Sequence, residues 1–135
     1  MRIMGLDLGE KTIGVAMSDP LALTAQALKV IKRSPGEMEE LAQIIADYDV
    51  EEIVLGYPRN MNGSLGERAK LTEEFAEVLK KKFSLKIILW DERLSTMGAT
   101  RVLLEADLSR AKRKKVIDKM AAVFILQGYL DSRRN

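Results

Sequence analysis

The sequence predicts an α/β domain built on a five-stranded mixed sheet with helices on both faces. Three features of the chain point there: three short extended segments joined by tight turns within the first 31 residues, two later apolar runs each preceded by an amphipathic helical pattern, and a helical C-terminal segment. Strands joined by short turns pair antiparallel, whereas strands separated by helices pair parallel through right-handed crossovers. At 135 residues the chain is expected to form one domain, spanning 1–135. It carries no internal repeat, linker or low-complexity stretch.

Residues 2–19 read as two strands around a turn at Gly9. Ile3, Gly5 and Asp7 alternate with Met4, Leu6 and Leu8, and Ile13, Val15 and Met17 alternate with Gly14, Ala16 and Ser18, the period of an extended strand. A third strand follows over 25–31. Ser34, Pro35 and Glu37 form a capping-box pattern with proline at the first helical position. The helix it opens runs to Tyr48 and buries Met38, Leu41, Ile44, Ile45 and Tyr48. Residues 52–56 are a short continuous apolar run, as in a strand covered on both faces. A turn-rich loop occupies 57–64. A helix over 65–83 then presents Leu71, Phe75, Val78, Leu79 and Phe83 on one face. Residues 86–90 form the fifth strand and run into Asp91, Glu92 and Arg93. Ser95 or Thr96 caps a short helix to Ala106, a basic loop covers 107–115, and a last helix over 116–131 packs through Ile117, Met120, Ala121, Phe124 and Gly128.

Composition narrows the chemistry. The chain has no cysteine and no histidine, which removes disulfides, thiolate metal sites, serine–histidine catalysis and most zinc chemistry. Carboxylates, Lys, Arg, Ser, Thr and Tyr remain, and they suit a hard, oxygen-seeking cation such as Mg²⁺ or Mn²⁺. No apolar run reaches the ~20 residues of a membrane span, and the acid at Asp7 interrupts any signal-peptide core. A cytoplasmic location without membrane association is expected. The net charge of +2 is uneven: residues 107–135 hold eight Lys/Arg against three acids, leaving −3 on the rest. A basic end of this kind suits a polyanionic partner or a solvated helix end equally.

In a sheet of this type, ligands gather at the carboxyl ends of the strands. Asp7 ends strand one, and Asp91 and Glu92 end strand five. Asp118 lies one turn into the last helix, on the border of a face formed by Ala121, Ala122 and Ile125. Each acid has an ordinary alternative: Asp7 as a turn residue beside Gly9, Asp91 and Glu92 in a surface turn or an ion pair with Arg93, Asp118 as a charge complementing a helix N-terminus. Taken together they suggest convergent carboxylates that need a cation between them. Two Mg²⁺ ions held so can activate water against a phosphodiester without histidine.

Four motifs stand in register along the chain: Asp7-Leu8-Gly9 with Lys11 to Ala16 and Ser18-Asp19; Val54 to Pro58 with Met61-Asn62-Gly63-Ser64; Asp91 to Thr96; and Asp118 to Ala122 with Ile125-Leu126-Gln127. In this order they resemble the YqgF, or RuvX-like, family over essentially the whole chain. That family is described both as Holliday junction resolvases and as nucleases of pre-16S ribosomal RNA processing. The resemblance implies a ribonuclease H-like fold, a divalent-metal-dependent nuclease and a bacterial cytoplasmic role. By position it implies a catalytic and metal-holding set of Asp7, Glu92 and Asp118, with Asp91 and Arg93 beside it. The chain departs from the family in having Thr12 where Arg is frequent and Asn62 where Asp is frequent; neither change touches the acids.

Lys11 and Arg93 are positioned to meet phosphate charge or to form surface ion pairs. Arg110, Lys112, Arg113, Lys114 and Lys115 would follow a sugar–phosphate backbone with little sequence readout. With one Trp, three Tyr and three Phe, base stacking has few candidates, of which Tyr57 is the best exposed. Expected partners are precursor ribosomal RNA or branched DNA, and ribosomal particles, with the chain a monomer or a homodimer. The resemblance implies maturation of the pre-16S 5′ end during ribosome biogenesis first, with junction resolution next. A non-catalytic RNA-binding assembly factor is a third reading. An Asp-x-Gly hairpin also opens actin- and hexokinase-type ATPases, but those close two such domains over a nucleotide and this chain supplies one.

Overall fold

The computed structural model describes residues 2–58, 66–91 and 110–133, with the backbone alone over 110–119. Within them lie five strands and three helices: β1 (Arg2–Leu8), β2 (Thr12–Ser18), β3 (Ala25–Lys32), α1 (Glu37–Tyr48), β4 (Val50–Tyr57), α2 (Glu67–Lys82), β5 (Lys86–Asp91) and α3 (Arg110–Arg133). The strands form one sheet in the order β3-β2-β1-β4-β5. β1 pairs antiparallel with β2, and β2 with β3; β4 joins β1 in parallel and β5 joins β4 in parallel. The expected mixed sheet is therefore present, with β1 at its centre. The expected helix over 95–106 and most of the loop over 57–64 lie outside the described residues.

Both faces are covered. On one, Met4, Leu6, Ile13, Val15 and Ile31 pack with Ile53 and Leu55 under Leu41 and Ile44 of α1 and Phe75, Ala76 and Leu79 of α2. On the other, Ile3, Ala16 and Val54 pack under Ala122, Ile125, Leu126 and Leu130 of α3. The strand alternation thus divides into two cores.

Several helix faces differ from expectation. α1 starts at Glu37 with Gly36 as its N-cap and no side-chain cap. Arg33 takes the Glu37 carboxylate instead, its Nε donating to both oxygens at 3.1 Å. With the Glu37 carboxylate engaged by the Arg33 guanidinium, the capping box is not formed. Along α2 the buried positions are Ala69, Thr72, Phe75, Ala76 and Leu79, while Leu71 is 54% and Val78 41% exposed. The small residues let the helix approach the sheet, and Thr72 satisfies its hydroxyl by donating to the Arg68 carbonyl at 2.9 Å. Arg110 to Lys115 are helical, within α3, rather than a loop; Arg, Ala and Lys are strong helix formers with no Gly or Pro among them. Its inward stripe is Ala121, Ala122, Ile125, Leu126 and Leu130, with Met120 and Phe124 only half-buried.

One polar contact lies inside the α3 layer. The Tyr129 hydroxyl donates to the Glu52 carboxylate at 2.5 Å, and Glu52 is buried. Burial first, then the bond to Glu52 and its charge, push Tyr129 up to about 12. Tyr129→Phe removes the donor and leaves the Glu52 carboxylate buried without it, an expected loss of about 1–3 kcal/mol in urea unfolding. The pH dependence has a fixed sign. Because the folded pKa is raised, the Tyr129 contribution is complete below about pH 10, the ordinary value. It is lost as pH rises towards about 12. The Phe variant should lack that alkaline limb, and an unchanged alkaline profile would contradict the assignment.

Candidate functional site at the carboxyl end of the central strand

Asp7 is the penultimate residue of β1 and stands opposite Gly14 of β2. The turn that follows is tight, with the Gly9 amide donating to the Thr12 carbonyl at 2.8 Å, as expected at Gly9. Two arginines hold the carbonyls just past Asp7. Arg33 donates from Nη1 to the Gly9 carbonyl at 2.8 Å and Arg68 from Nη2 to the Leu8 carbonyl at 3.2 Å. Lys11 is exposed at this turn. The two arginines had no signal in the sequence beyond their charge, since their partners are backbone atoms 24 and 60 residues away.

Asp7 shares its face with Ile3 and Gly5, the face that α3 covers. At Gly5 the helix comes so close that an added Cβ would sit 2.7 Å from Leu126 Cβ and 3.1 Å from the Ala122 carbonyl. The direction of α3 follows from three contacts. Ala122 and Leu126 lie over Gly5; Tyr129 reaches Glu52, which is level with Ile3; and the Gln127 side chain accepts from the Ala25 amide at 2.9 Å, at the Ser18 end of β2. The helix therefore runs from the carboxyl end of β1 towards its amino end. The α3 backbone at Asp118, one turn before Ala122, lies on the Asp7 side of the Gly5 contact. Asp118 also precedes Ala121, Ala122 and Ile125 at i+3, i+4 and i+7, and all three are buried.

Asp91 behaves differently. It pairs in register with Tyr57, and the Tyr57 hydroxyl donates to Glu73 of α2. Strand alternation thus puts Asp91 on the α2 face and Trp90 on the face of Asp7 and α3, where Trp90 packs edge-on against Tyr129 at 5.7 Å. Tyr57 is only 7% exposed, so it is a core residue, not the exposed stacking surface expected of it. Its hydroxyl lets it be buried, since a partnered phenol carries little desolvation penalty. Glu92 and Arg93 lie outside the described residues. For Asp118, Arg110, Lys112, Arg113, Lys114 and Lys115 the backbone alone is described, within α3. Among the described residues no group of three acids converges.

Gly5, Gly14, Ala16 and Ser18 give the hairpin one face of small residues. At three positions this face serves packing: Gly5 admits α3, Ala16 is buried beneath it, and Ser18 Oγ accepts the Ile3 amide at 2.8 Å.

Comparison with known proteins gives this arrangement a family. The family model described as "RuvX: Holliday junction resolvase" matches residues 1–132. A protein of Desulfitobacterium hafniense named "Putative pre-16S rRNA nuclease" is 72% identical over 131 residues, covering 97% of this chain and 92% of that protein. A Bacillus subtilis protein of the same name is 54% identical over 136 residues, covering 98% and 99%. Among solved structures, Thermus thermophilus RuvC bound to a Holliday junction substrate superposes with a TM-score of 0.63 at 14% identity, covering 99% of this chain and 96% of that one. The fowlpox virus resolvase complexed with Holliday junction DNA gives 0.50 at 13% identity, with full coverage of both chains. At such identities the likeness concerns the fold, which is ribonuclease H-like, with the mixed sheet expected from the sequence and the Asp-bearing strand β1 at its centre. The match over nearly the whole length, together with close relatives that align end to end, shows that the chain belongs to the RuvX family.

Proposed function

We propose that this RuvX-family nuclease is a divalent-metal-dependent hydrolase of phosphodiester bonds that matures the 5′ end of pre-16S ribosomal RNA during ribosome biogenesis. What supports the reading most is the combination of a family match over residues 1–132 with a half-buried carboxylate at the end of the central strand. The names of the relatives point to the RNA.

Asp7, Glu92 and Asp118 are the residues that would hold Mg²⁺ or Mn²⁺. Their donor set fits: oxygens only, in a chain with neither histidine nor cysteine, as a hard cation prefers. A bound Mg²⁺ supplies Lewis acidity and lowers the pKa of a coordinated water. The protein's own cations do the rest. Lys11, at the turn that Arg33 and Arg68 hold, meets phosphate charge, and Arg93 does the same from beyond β5. Asp91 supports the strand end from the α2 face. Arg110 and Lys112 to Lys115 run along the nucleic-acid backbone. Among the described residues no helix is long and apolar enough to cross a membrane, and a cytoplasmic site of action suits the RNA substrate. The chain works as a monomer, or with ribosomal particles, on this reading.

The family description favours a second reading, resolution of four-way DNA junctions. Junction resolution calls for a symmetric dimer delivering paired cuts. One preparation should be offered a 5′-extended pre-16S RNA and a four-way DNA junction, with Mg²⁺, with Mn²⁺ and with chelator. Trimming of the RNA in metal alone, with the junction intact, is expected. Paired junction cuts with untouched RNA would instead establish the resolvase, and binding without cleavage of either would establish an assembly factor.

A further inference from the structure

The registers of β1, β2 and β3 bring two residues onto the face of Asp7 that the family set does not include. Asp7 pairs with Gly14, and Gly14 pairs with Val30 of β3. Cross-strand partners share a face, so Asp7, Gly14 and Val30 form one row across the sheet. Two residues nearer the strand ends, on the same face, Thr12 pairs with Lys32. The inner face of this corner confirms the assignment, because Ile13 and Ile31 between them are buried in the opposite core.

The corner is open. Lys32 is exposed and Thr12 half-exposed; Val30 is 37% exposed, so α3 does not close over β3 here. Gly14 adds no side chain between Asp7 and Val30. Among the described residues no acid stands within ion-pair distance of Lys32, whereas Lys29 on the other face of β3 pairs with Glu40 at 3.5 Å and Arg33 pairs with Glu37 at 3.1 Å. Two strand spacings and two residues of rise separate the Asp7 and Lys32 backbones by about 12 Å, and the lysine side chain spans part of that. Lys32 is therefore too far to touch the scissile group yet close enough for a neighbouring phosphate of the same strand.

We propose that Thr12 and Lys32 form a phosphate-binding ledge that carries the nucleic-acid strand from Asp7 over Gly14 and across the β2–β3 corner. The ledge sits across the sheet from the parallel strands β4 and β5. Its chemistry is that of a backbone contact, an ammonium and a hydroxyl on a phosphodiester, without base readout. The inference rests on the nuclease reading of the Asp7 site, and the test separates the two.

Binding should be measured by titration at several salt concentrations in an Asp7→Asn background, on a single-stranded RNA and on a four-way DNA junction. Lys32→Ala should weaken binding several-fold and lower the slope of log affinity against log salt by about 0.7 on a single strand, the value of one phosphate contact. Lys32→Glu should weaken it further, and Lys32→Arg should keep the slope. Thr12→Val should weaken binding with the slope unchanged, because a hydroxyl releases no counterion. Lys82→Ala, at the far end of α2, serves as the control and should leave affinity and slope as they are. A loss on either probe supports the ledge, and the probe that loses more identifies the strand it holds. Unchanged affinity and slope for Lys32→Ala on both probes, or an equal loss for Lys82→Ala, overturns it. Cleavage by the chain with Asp7 intact is read separately. If that chain cuts while Lys32→Ala binds normally, the ledge fails and the nuclease stands; if it cuts nothing while the slope falls, the nuclease fails and the ledge stands.

Discussion

Asp7→Asn should abolish nuclease turnover while leaving the fold and nucleic-acid binding intact. The substitution keeps the side-chain shape and removes one negative charge. If Asp7 helps hold a divalent cation, the loss of several kcal/mol of transition-state stabilisation corresponds to a fall on the order of 10³-fold in kcat. The other role open to an aspartate beside Gly9 predicts the opposite. An aspartate that only completes the turn is well replaced by asparagine, itself a turn former, and the rate would hardly change. The same variant therefore separates the two readings of one residue. Binding should be retained or strengthened, since a negative charge is removed from the path of a polyanion. Glu92→Gln and Asp118→Asn should each give a comparable loss, and the three together little more than one alone, because groups acting as a unit are not additive. Full activity in all three single variants would end the metal-site proposal.

How much of this was legible before the fold was known depends on the kind of signal. The hairpin, the two covered strands and the order of elements follow from alternation and from helices placed between strands, and the sheet has that topology. The face of α3 near Asp118 was legible too, because Ala121, Ala122 and Ile125 recur at helical spacing and are buried. The face of α2 was legible only in part: Phe75 and Leu79 are buried as expected and Phe83 packs against the core. Large apolar residues mark Leu71 and Val78, but burial went to Ala69, Thr72 and Ala76, where small side chains allow close approach. Hydrophobicity scales count the size of a side chain, not the distance at which a helix docks. Tyr57 and Glu37 depart from the sequence pattern for a related reason. Each has a partner, Glu73 and Arg33 respectively, that local pattern does not reveal. Asp91 shows the limit of adjacency: it neighbours Glu92 in sequence, yet register puts it on the α2 face with Tyr57. Lys32 required the pairing of three strands before its face relative to Asp7 had any meaning.

The close docking of α3 gives the second large effect, and it can be isolated by making one substitution at two glycines. Gly5→Ala adds a Cβ 2.7 Å from Leu126 Cβ and 3.1 Å from the Ala122 carbonyl. Neither atom lies at the free end of a side chain, so no rotamer change relieves the overlap and the whole helix must move. A cost of about 1–3 kcal/mol follows, or roughly 4–12 °C in Tm for a domain of this size. Gly128→Ala adds its Cβ 3.2 Å from Trp90 Nε1, a milder approach, to a side-chain atom and not to a helix backbone. It also replaces a glycine inside a helix, a gain of about 1 kcal/mol, so its net effect should be near zero. Stability is only half of the expectation. α3 carries Asp118, and its backbone meets β1 two residues before Asp7. Lifting it at Gly5 should lower cleavage even at temperatures where the variant remains fully folded, while Gly128→Ala keeps activity. Thermal melting and initial cleavage rates on both variants test this together. A Gly5→Ala protein with the original Tm would show that the 2.7 Å contact is not a constraint. One with lowered Tm but normal turnover well below it would show that the helix does not set the geometry around Asp7.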